Sequence, residues 1–296
     1  MAGLDETMLQ TIATRLDDQL DPVSVVAGGS SSLNQTYRVT GRIARYFIKI
    51  NTTEYATMMQ AELAGLQELE RARAIRVPKP LAAGVAGAQS FIAMEWLDIG
   101  ATAPGSEVQL GRELAQLHNC TQAQFGWHRD NTIGLTPQIN TCDDDWGRFF
   151  ASRRLEVQLD FLEHKAFDRE LVAGGRDLAQ RLPDYFAGQS IVPGLLHGDL
   201  WGGNWGALGD GTPVLFDPAV YFGDAESDIA MTQLFGGFGP RFYAAYREIR
   251  ADPADGPVRR ELYQFYHLLN HCNLFGQSYR TQAWRSLQRL LTKISD

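Results

Sequence analysis

Three polar side chains in the second half of the chain have types and spacing suited to phosphoryl transfer. Residues 195–204 read L-L-H-G-D-L-W-G-G-N and contain Asp199 and Asn204, and residues 213–217 read P-V-L-F-D and end in Asp217. The D-x-x-x-x-N spacing is that of a phosphotransferase catalytic loop, where the aspartate accepts the proton of the attacking hydroxyl and the asparagine binds magnesium. An aspartate after an apolar strand can bind the same ion, which prefers oxygen ligands. The pattern predicts Asp199 as the catalytic base, and Asn204 and Asp217 as metal ligands.

Each half of this pattern also has a plainer interpretation. His197-Gly198-Asp199 could be a turn whose aspartate caps a helix, and Asp217 could cap the end of a strand. For one motif alone the plainer interpretation would be preferred. Both motifs together, in this order and among apolar residues where an unpaired carboxylate is costly, favour a phosphoryl-transfer site.

The first third of the chain contains a candidate clamp for phosphates. Lys49 lies in the apolar stretch F-I-K-I, where a lysine needs a partner or a functional reason. Glu62 follows in a helical pattern, and a strand lysine paired with a helix glutamate positions the α- and β-phosphates in protein kinases. The alternatives are a lysine that reaches water from an edge strand and a glutamate on a solvated helix face. The clamp is favoured only because Lys49 and Glu62 occur together with the motifs that contain Asp199, Asn204 and Asp217.

Two further segments of the first third could contact a nucleotide. One is the small-residue loop that comprises Gly28, Gly29, Ser30, Ser31 and Ser32. Successive backbone N–H groups in such a loop can cradle phosphates, although the sequence also suits a hairpin turn. The other is the strand end that comprises Met94, Glu95, Trp96 and Leu97. Its backbone could contact an adenine edge, and the alternative is an ordinary buried strand end.

The order of the predicted elements indicates two lobes. Residues 5–20 have helical spacing, 23–27 are strand-like, and further strand-like stretches surround one helical pattern over 54–74. After Leu97 the periodicity is mainly helical. We therefore predict an α+β protein with a β-rich N-terminal nucleotide-binding lobe over residues 1–97. Residues 98–296 would form a mainly helical lobe with the catalytic and acceptor-binding residues, and a cleft between lobes commonly binds ligands.

Composition excludes several classes of protein. A net charge of −8 argues against a binder of nucleic-acid phosphates. No apolar run approaches the ~20 residues that span a membrane, and the N-terminus lacks the apolar core of a signal peptide. Cys120, Cys142 and Cys272 are widely spaced, without a C-x-x-C pair, which is typical of reduced thiols. We expect a cytoplasmic protein without a nucleic-acid or membrane partner.

Longer stretches resemble the fructosamine kinase (ketosamine kinase) family. They are 195–204, 216–232 (F-D-P-A-V-Y-F-G-D-A-E-S-D-I-A-M-T), 125–140 (F-G-W-H-R-D-N-T-I-G-L-T-P-Q-I-N) and 266–276 (Y-H-L-L-N-H-C-N-L-F-G). H-G-D-x-x-x-x-N alone is similar to the wider group that includes aminoglycoside and choline kinases. The loop with Trp201 and the D-P-A-V-Y extension narrow the resemblance to this family. It implies a bilobal protein-kinase-like fold.

The resemblance also implies an activity. Members are ATP- and magnesium-dependent kinases of ketosamines, the sugar adducts that glycation forms on free amines or protein lysines. Phosphorylation of the hydroxyl on the third carbon makes the adduct labile, so the implied role is deglycation. The resemblance implies the roles already predicted for the loop, clamp and strand-end residues, and a carboxylate at Asp228 that braces the catalytic loop.

The acceptor side is less defined by the sequence. Trp201 could stack on a sugar ring or only shape its loop, and Trp127 and His128 could border the acceptor pocket or only anchor theirs. His267 and His271 lack a third ligand, so a packed helix face is favoured over a metal site. The open alternatives are a kinase of the same fold acting on an aminoglycoside, a choline-like alcohol or a sugar, and a nucleotide-binding module without catalysis.

Overall fold

The computed structural model describes residues 4–28, 34–100 and 104–294. The helices are α1 (Glu6–Leu16), α2 (Ala56–Ala72), α3 (Pro104–Leu117), α4 (Trp146–Phe150), α5 (Glu156–His164), α6 (Arg169–Phe186), α7 (Glu226–Leu234), α8 (Pro240–Arg247), α9 (Gly256–Phe275) and α10 (Arg280–Lys293). The strands are β1 (Val26–Ala27), β2 (Gln35–Thr40), β3 (Arg45–Thr52), β4 (Pro80–Ala86), β5 (Gln89–Glu95), β6 (Ile99–Gly100), β7 (Asn131–Ile133), β8 (Thr136–Gln138), β9 (Gly194–Leu196), β10 (Trp205–Leu208), β11 (Pro213–Leu215) and β12 (Tyr221–Gly223).

Strands β1 to β5 form one antiparallel sheet in the order β1-β2-β3-β5-β4. Side chains of a strand alternate between the two faces of a sheet, and β3 shows why both faces here are covered. Ile48 and Ile50 are buried in an apolar cluster with Ile12 of α1. Lys49 lies between them in the sequence and faces the opposite side, where α2 packs on β4 and β5. The alternation of β3 therefore directs the predicted clamp lysine toward the predicted clamp helix.

The chain forms two compact units. The first comprises Met1–Ala103 with Gly206–Phe216, and the second comprises Pro104–Trp205 with Asp217–Asp296. The hairpin of β10 and β11 belongs to the first unit because β10 pairs with β6. The lobe boundary predicted after Leu97 stays a prediction, and no pattern in the sequence indicates that a later hairpin joins the earlier strands.

In the second unit, β9 and β12 bring two distant loops together. They pair antiparallel with Leu196 opposite Tyr221, and the N–H of Ala219 donates to the carbonyl of His197 at 2.9 Å. The segment after β9 therefore runs beside the segment before β12. This pairing positions the two motifs that the sequence singled out.

Helix α9 lies at the centre of the helices of the second unit. It packs against α7, α10 and α5, and most of its residues between Leu262 and Asn273 are buried. Arg154 is fully buried nearby, with its guanidinium 4.0 Å from the ring centroid of Tyr221. This half of the protein is mainly helical, so the α+β prediction is confirmed.

Two predicted elements near the N-terminus are shorter than the sequence indicated. Helix α1 ends at Leu16 and not at residue 20, because Asp17 adopts a left-handed backbone with a φ of 52°. The predicted strand over 23–27 is reduced to β1, because Pro22–Ser24 forms a 3-10 turn in which the N–H of Val23 donates to the side chain of Asp21. Among the described residues, none of the helices has both the length and the hydropathy to cross a membrane.

Candidate active site

The predicted catalytic loop is closed by hydrogen bonds of its own asparagine. Asn204 is 5% exposed, and its Nδ2 donates to the carbonyl of Asp199 at 2.8 Å and to its Oδ2 at 3.2 Å. The turn between them is held by the N–H of Asn204, which donates to the carbonyl of Trp201 at 2.9 Å. The spacing of five residues therefore brings the two side chains into direct contact. With Nδ2 on Asp199, Oδ1 is the amide atom suited to binding a cation.

Asp217 lies next to this loop in an unusual backbone conformation. Its φ is 56°, in the left-handed region that Asp and Asn adopt more readily than most residues. Its carbonyl is 3.5 Å from Nδ2 of Asn204. A tight crossing supports the approach, since a Cβ on Gly198 would lie 2.0 Å from the carbonyl oxygen of Ala219. The structure therefore brings Asp199, Asn204 and Asp217 together.

The two carboxylates of this group affect each other. Burial raises the pKa of Asp199 to about 7, and the charge of Asp217 acts in the same direction. A cation beside them would stabilise both ionised forms. The carboxylate of Asp217 and the amide oxygen of Asn204 are hard ligands of the kind that magnesium prefers, and the ion commonly completes its shell with water and phosphate. The donor set therefore fits magnesium.

Asp228, on the first turn of α7, braces the catalytic loop from behind. Its carboxylate is 1% exposed and accepts the backbone N–H of His197 at 2.7 Å and that of Gly198 at 2.9 Å. Burial alone would raise its pKa, but the hydrogen bond and charge of His118 hold the pKa of Asp228 below its ordinary value. The geometry agrees with the bracing position that the resemblance implied.

Sequence reasoning missed the partners of this carboxylate. The ring of His118 is fully buried, with Nε2 at 3.1 Å from Oδ2 of Asp228 and Nδ1 at 2.7 Å from the hydroxyl of Tyr246. His118 directly follows α3, Asp228 lies in α7 and Tyr246 lies in α8. Nothing in their spacing links them, because tertiary packing alone brings these helices together.

A second missed group is a set of buried amides that fixes the segment after Asp217. Nδ2 of Asn131 donates to the carbonyl of Val220 at 2.8 Å, and Nε2 of Gln138 donates to that of Ala219 at 3.0 Å. Both amides lie in the quoted stretch 125–140, where polar residues on a short hairpin were the available signal. They position the backbone that carries Asp217.

The predicted clamp forms within the first unit. Nζ of Lys49 lies 2.7 Å from Oε1 of Glu62, and both side chains are almost buried. Gly28 immediately precedes the described gap, and its N–H donates to the carbonyl of Thr36 at 2.8 Å. Gly29, Ser30, Ser31 and Ser32 lie outside the described residues.

The predicted adenine-binding strand end has fewer available backbone groups than its sequence suggested. Strand β5 ends at Glu95, and Met94 is buried within it. The N–H of Glu95 donates to the carbonyl of Lys79, and that of Trp96 donates to the carbonyl of Arg45, both at 3.0 Å. Of the two residues after the strand, Leu97 is thus the better candidate for a donor to a ligand.

The three predicted acceptor residues differ in exposure. Trp201 is 43% exposed, and its ring covers Gly203, where a Cβ would lie 2.2 Å from the ring. Trp127 is 2% exposed, with its ring centroid 4.4 Å from that of the exposed His128. Trp201 is therefore available to a ligand on the loop of Asp199, whereas Trp127 is packed into its own loop.

Comparisons with known proteins identify the family of this chain. A sequence model described as Fructosamine kinase matches residues 5–293. A protein of Synechocystis sp. named "Probable ketoamine kinase" is 40% identical over 269 residues, which are 90% of this chain and 89% of that protein. The chloroplastic protein-ribulosamine 3-kinase of Arabidopsis thaliana is 39% identical over 268 residues, which are 90% of this chain and 81% of that protein.

Solved structures share the fold across the whole chain. A Haemophilus somnus structure designated fructosamine-3-kinase has a TM-score of 0.86 and 28% identity, covering 97% of each chain. An aminoglycoside phosphotransferase has a TM-score of 0.64 at 12% identity, covering 97% of this chain and 98% of its own, which shows a shared protein-kinase-like fold. The predicted fold is confirmed, and the chain belongs to the fructosamine kinase family.

Proposed function

We propose that this protein is an ATP-dependent kinase that phosphorylates a hydroxyl of ketosamines. The observation that carries the proposal is the contact of Asn204 with the carboxylate of Asp199, beside Asp217 and in a loop whose backbone is bound by Asp228. Family membership supports the same activity, because similar proteins are named ketoamine kinase and ribulosamine 3-kinase. The intact set of Lys49, Glu62 and the loop residues argues for catalysis rather than nucleotide binding alone.

The proposed reaction is an in-line transfer. The acceptor oxygen forms a bond to the γ-phosphorus of ATP, and the bond from that phosphorus to the β,γ-bridging oxygen breaks, so that ADP leaves with its electron pair. The proton of the acceptor hydroxyl passes to the carboxylate of Asp199. Positioning and charge neutralisation supply most of the catalysis in such transfers.

Asn204 and Asp217 are the residues proposed to hold magnesium. The ion, when bound, would neutralise charge on the phosphate oxygens. The hydrogen bonds of Asn204 keep Asp199 oriented, and Asp217 stands after β11 in a left-handed backbone conformation with a φ of 56°.

The nucleotide is proposed to bind to residues of the first unit. Lys49, held by Glu62, would steady the α- and β-phosphates, and the loop that contains Gly28, Gly29, Ser30, Ser31 and Ser32 would contact them through its backbone. The strand end Met94 to Leu97 would contact the adenine, with the N–H of Leu97 as the donor.

The acceptor is proposed to be a ketosamine, either on a small amine or on a protein lysine. The name of the Arabidopsis relative refers to protein-bound ribulosamine, which supports both the sugar class and a role in deglycation. Trp201 is the proposed ring-stacking residue because it is exposed beside Asp199. Trp127 and His128 are proposed at most to shape the border of the pocket.

The test is ADP release with magnesium and ATP on several acceptors. Ribulosyl-lysine and fructosyl-lysine are compared with kanamycin, choline and ribose. We expect turnover on the ketosamines, and the preferred sugar follows from the ratio of their kcat/KM values. Turnover on kanamycin, choline or ribose without turnover on either ketosamine would overturn the substrate class while keeping the kinase chemistry.

A further inference from the structure

Helix α9 carries two buried polar side chains that lack hydrogen-bond partners. Asn270 is 2% exposed and His267 is 3% exposed. Within the part of the chain that the structure describes, neither Oδ1 of Asn270 nor Nδ1 of His267 has a partner. Buried polar atoms are paired in the great majority of cases, so each exception requires an explanation such as a water or a ligand.

The two side chains occupy one face of the helix. Residues three apart on a helix lie one turn apart on the same side, so His267 and Asn270 are neighbours. The surrounding contacts tie this helix to the catalytic segments. Nε2 of Gln264 donates to the carbonyl of Ala230 on α7, the helix that contains Asp228.

A second connection runs from α9 to the segment of Asp217. The hydroxyl of Tyr266 donates to Oε1 of Gln138 at 3.1 Å, and Nε2 of the same amide donates to the carbonyl of Ala219. Tyr266 directly precedes His267. The unpartnered pair therefore sits on a helix that contacts the structural support of both catalytic loops.

Electrostatic effects are consistent with this location. Burial lowers the pKa of His267 to about 3, and the charges of Asp228 and Arg154 also reach it. Burial raises the pKa of Tyr266, and the carboxylate of Asp199 acts in the same direction. The charge of Asp228, which binds the loop of Asp199, therefore acts on His267, and the charge of Asp199 acts on the adjacent Tyr266.

We propose that His267 and Asn270 form an acceptor subsite that binds the hydroxyls of the sugar chain beyond the carbon that is phosphorylated. This inference rests on the proposed function, since it concerns the same acceptor. A neutral imidazole offers one donor and one acceptor, and an amide offers both kinds of group. A sugar hydroxyl also donates and accepts, so it can satisfy both side chains, whereas an apolar alcohol leaves them unpaired.

The unpartnered side chain of Asn270 also leads to a prediction about the stability of the protein. An unpartnered polar group in the interior is unfavourable to folding, and replacement by an apolar group of similar shape is nearly neutral or stabilising. Asn270→Leu should therefore keep or raise the melting temperature of the protein without acceptor. The same change should weaken acceptor recognition, because the bound hydroxyl then lacks its partner. A residue with a purely structural role would lose stability instead.

The experiment measures kcat/KM for fructosyl-lysine and for analogues that lack the hydroxyl on the fourth, fifth or sixth carbon. It uses the full-length wild type, Asn270→Leu and His267→Gln, with His164→Gln as the matched control on an exposed histidine of α5. With the wild type, we expect kcat/KM for at least one deoxy analogue to be about tenfold lower than for fructosyl-lysine. Asn270→Leu should lower kcat/KM for fructosyl-lysine by about the same factor relative to the wild type. Its kcat/KM for that analogue should fall little further, and KM for ATP should stay unchanged.

Each outcome decides the matter. Wild-type kcat/KM on fructosyl-lysine for both α9 variants, or a wild type indifferent to every deoxy analogue, would overturn the subsite and leave the proposed function standing. A wild type inactive on all ketosamines would overturn both. If Asn270→Leu fails to fold, His267→Gln and the analogue series on the wild type test the subsite. A deoxy analogue that lowers kcat/KM of the wild type, but does not lower kcat/KM of His267→Gln further, supports the subsite.

Discussion

The carboxylate of Asp228 accepts the backbone N–H of Gly198 at 2.9 Å across 30 residues of sequence. The neighbouring N–H of His197 binds the same carboxylate, so two consecutive peptide groups of the catalytic loop point at one anion. Hydrogen bonds to an ionised acceptor are stronger than neutral ones. The conformation of residues 197–198 is thus tied to a carboxylate outside the group proposed to do the chemistry.

Asp228→Asn tests this dependence. The amide replaces one acceptor oxygen with an NH2 group, which faces donors and leaves one of them unpaired. We expect a loss of about 1–3 kcal/mol in the free energy of unfolding and a kcat lowered by about tenfold or more. Urea unfolding and ADP release measure the two effects. Asp177→Asn, at an exposed position paired with Arg181, is the control and should change neither.

Asp217→Asn separates charge from backbone conformation. Asparagine tolerates the left-handed φ of 56° as aspartate does, so the melting temperature should stay unchanged. Loss of the carboxylate should lower kcat by about a hundredfold or more and raise the magnesium concentration needed for half-maximal rate. Asp210→Asn, in the exposed turn between β10 and β11, is the matched control. A kcat of Asp217→Asn equal to that of the wild type would contradict the assignment of Asp217 as a metal ligand.

The pair of Lys49 and Glu62 should govern the affinity for ATP. Lys49→Met removes the cation and leaves a nearly buried glutamate without its partner at 2.7 Å. We expect kcat/KM for ATP to fall by about tenfold to a hundredfold, with a smaller effect for Glu62→Gln, which retains a hydrogen bond. Glu68→Gln on the same helix pairs with the exposed Arg71 and should leave the ATP kinetics unchanged. An unaltered KM and kcat in Lys49→Met would exclude the clamp.

Local sequence signals sufficed for the parts of the site that are local. The turn between Asp199 and Asn204 closes within five residues, and the alternation of β3 faces Lys49 toward α2, so spacing and periodicity predict both. Strand and helix bounds followed for the same reason. The predicted bounds failed at Asp17, where a non-glycine residue takes a left-handed backbone, and at Pro22–Ser24, where a 3-10 turn replaces the start of a strand.

The support of the site could not be predicted because it depends on packing between distant segments. His118 contacts Asp228 across 110 residues, and no periodicity relates a histidine in the turn after α3 to an aspartate in α7. The hairpin of β10 and β11 joins the strands of the first unit because β10 pairs with Ile99 and Gly100. A strand of only two residues is too short to show a periodic pattern in the sequence. Such relationships arise from tertiary pairing and leave no local pattern.

Gly198→Ala and Gly188→Ala separate backbone strain from collision. Both glycines have left-handed φ values, 83° and 75°, so an alanine should cost about 1–2 kcal/mol at either site. Only at Gly198 would the Cβ also strike a backbone atom, at 2.0 Å from the carbonyl oxygen of Ala219, whereas Gly188 has open space. We expect a clearly larger loss of unfolding free energy, and loss of activity, for Gly198→Ala alone. Equal stabilities of the two variants would refute the tight crossing.

The buried ring of His267 should make stability depend on pH. Burial lowers its pKa from 6.5 to about 3, so the folded protein keeps the ring neutral where the unfolded chain protonates it. Between these values the unfolded state binds more protons, and stability falls as the pH is lowered, by at most about 1.4 kcal/mol per pH unit. Above the ordinary pKa this contribution is constant. His267→Gln should therefore flatten the dependence in urea unfolding from about pH 8 to about pH 5, and His164→Gln should not. Parallel curves for wild type and His267→Gln would show that the ring is protonated in the folded state, or exposed.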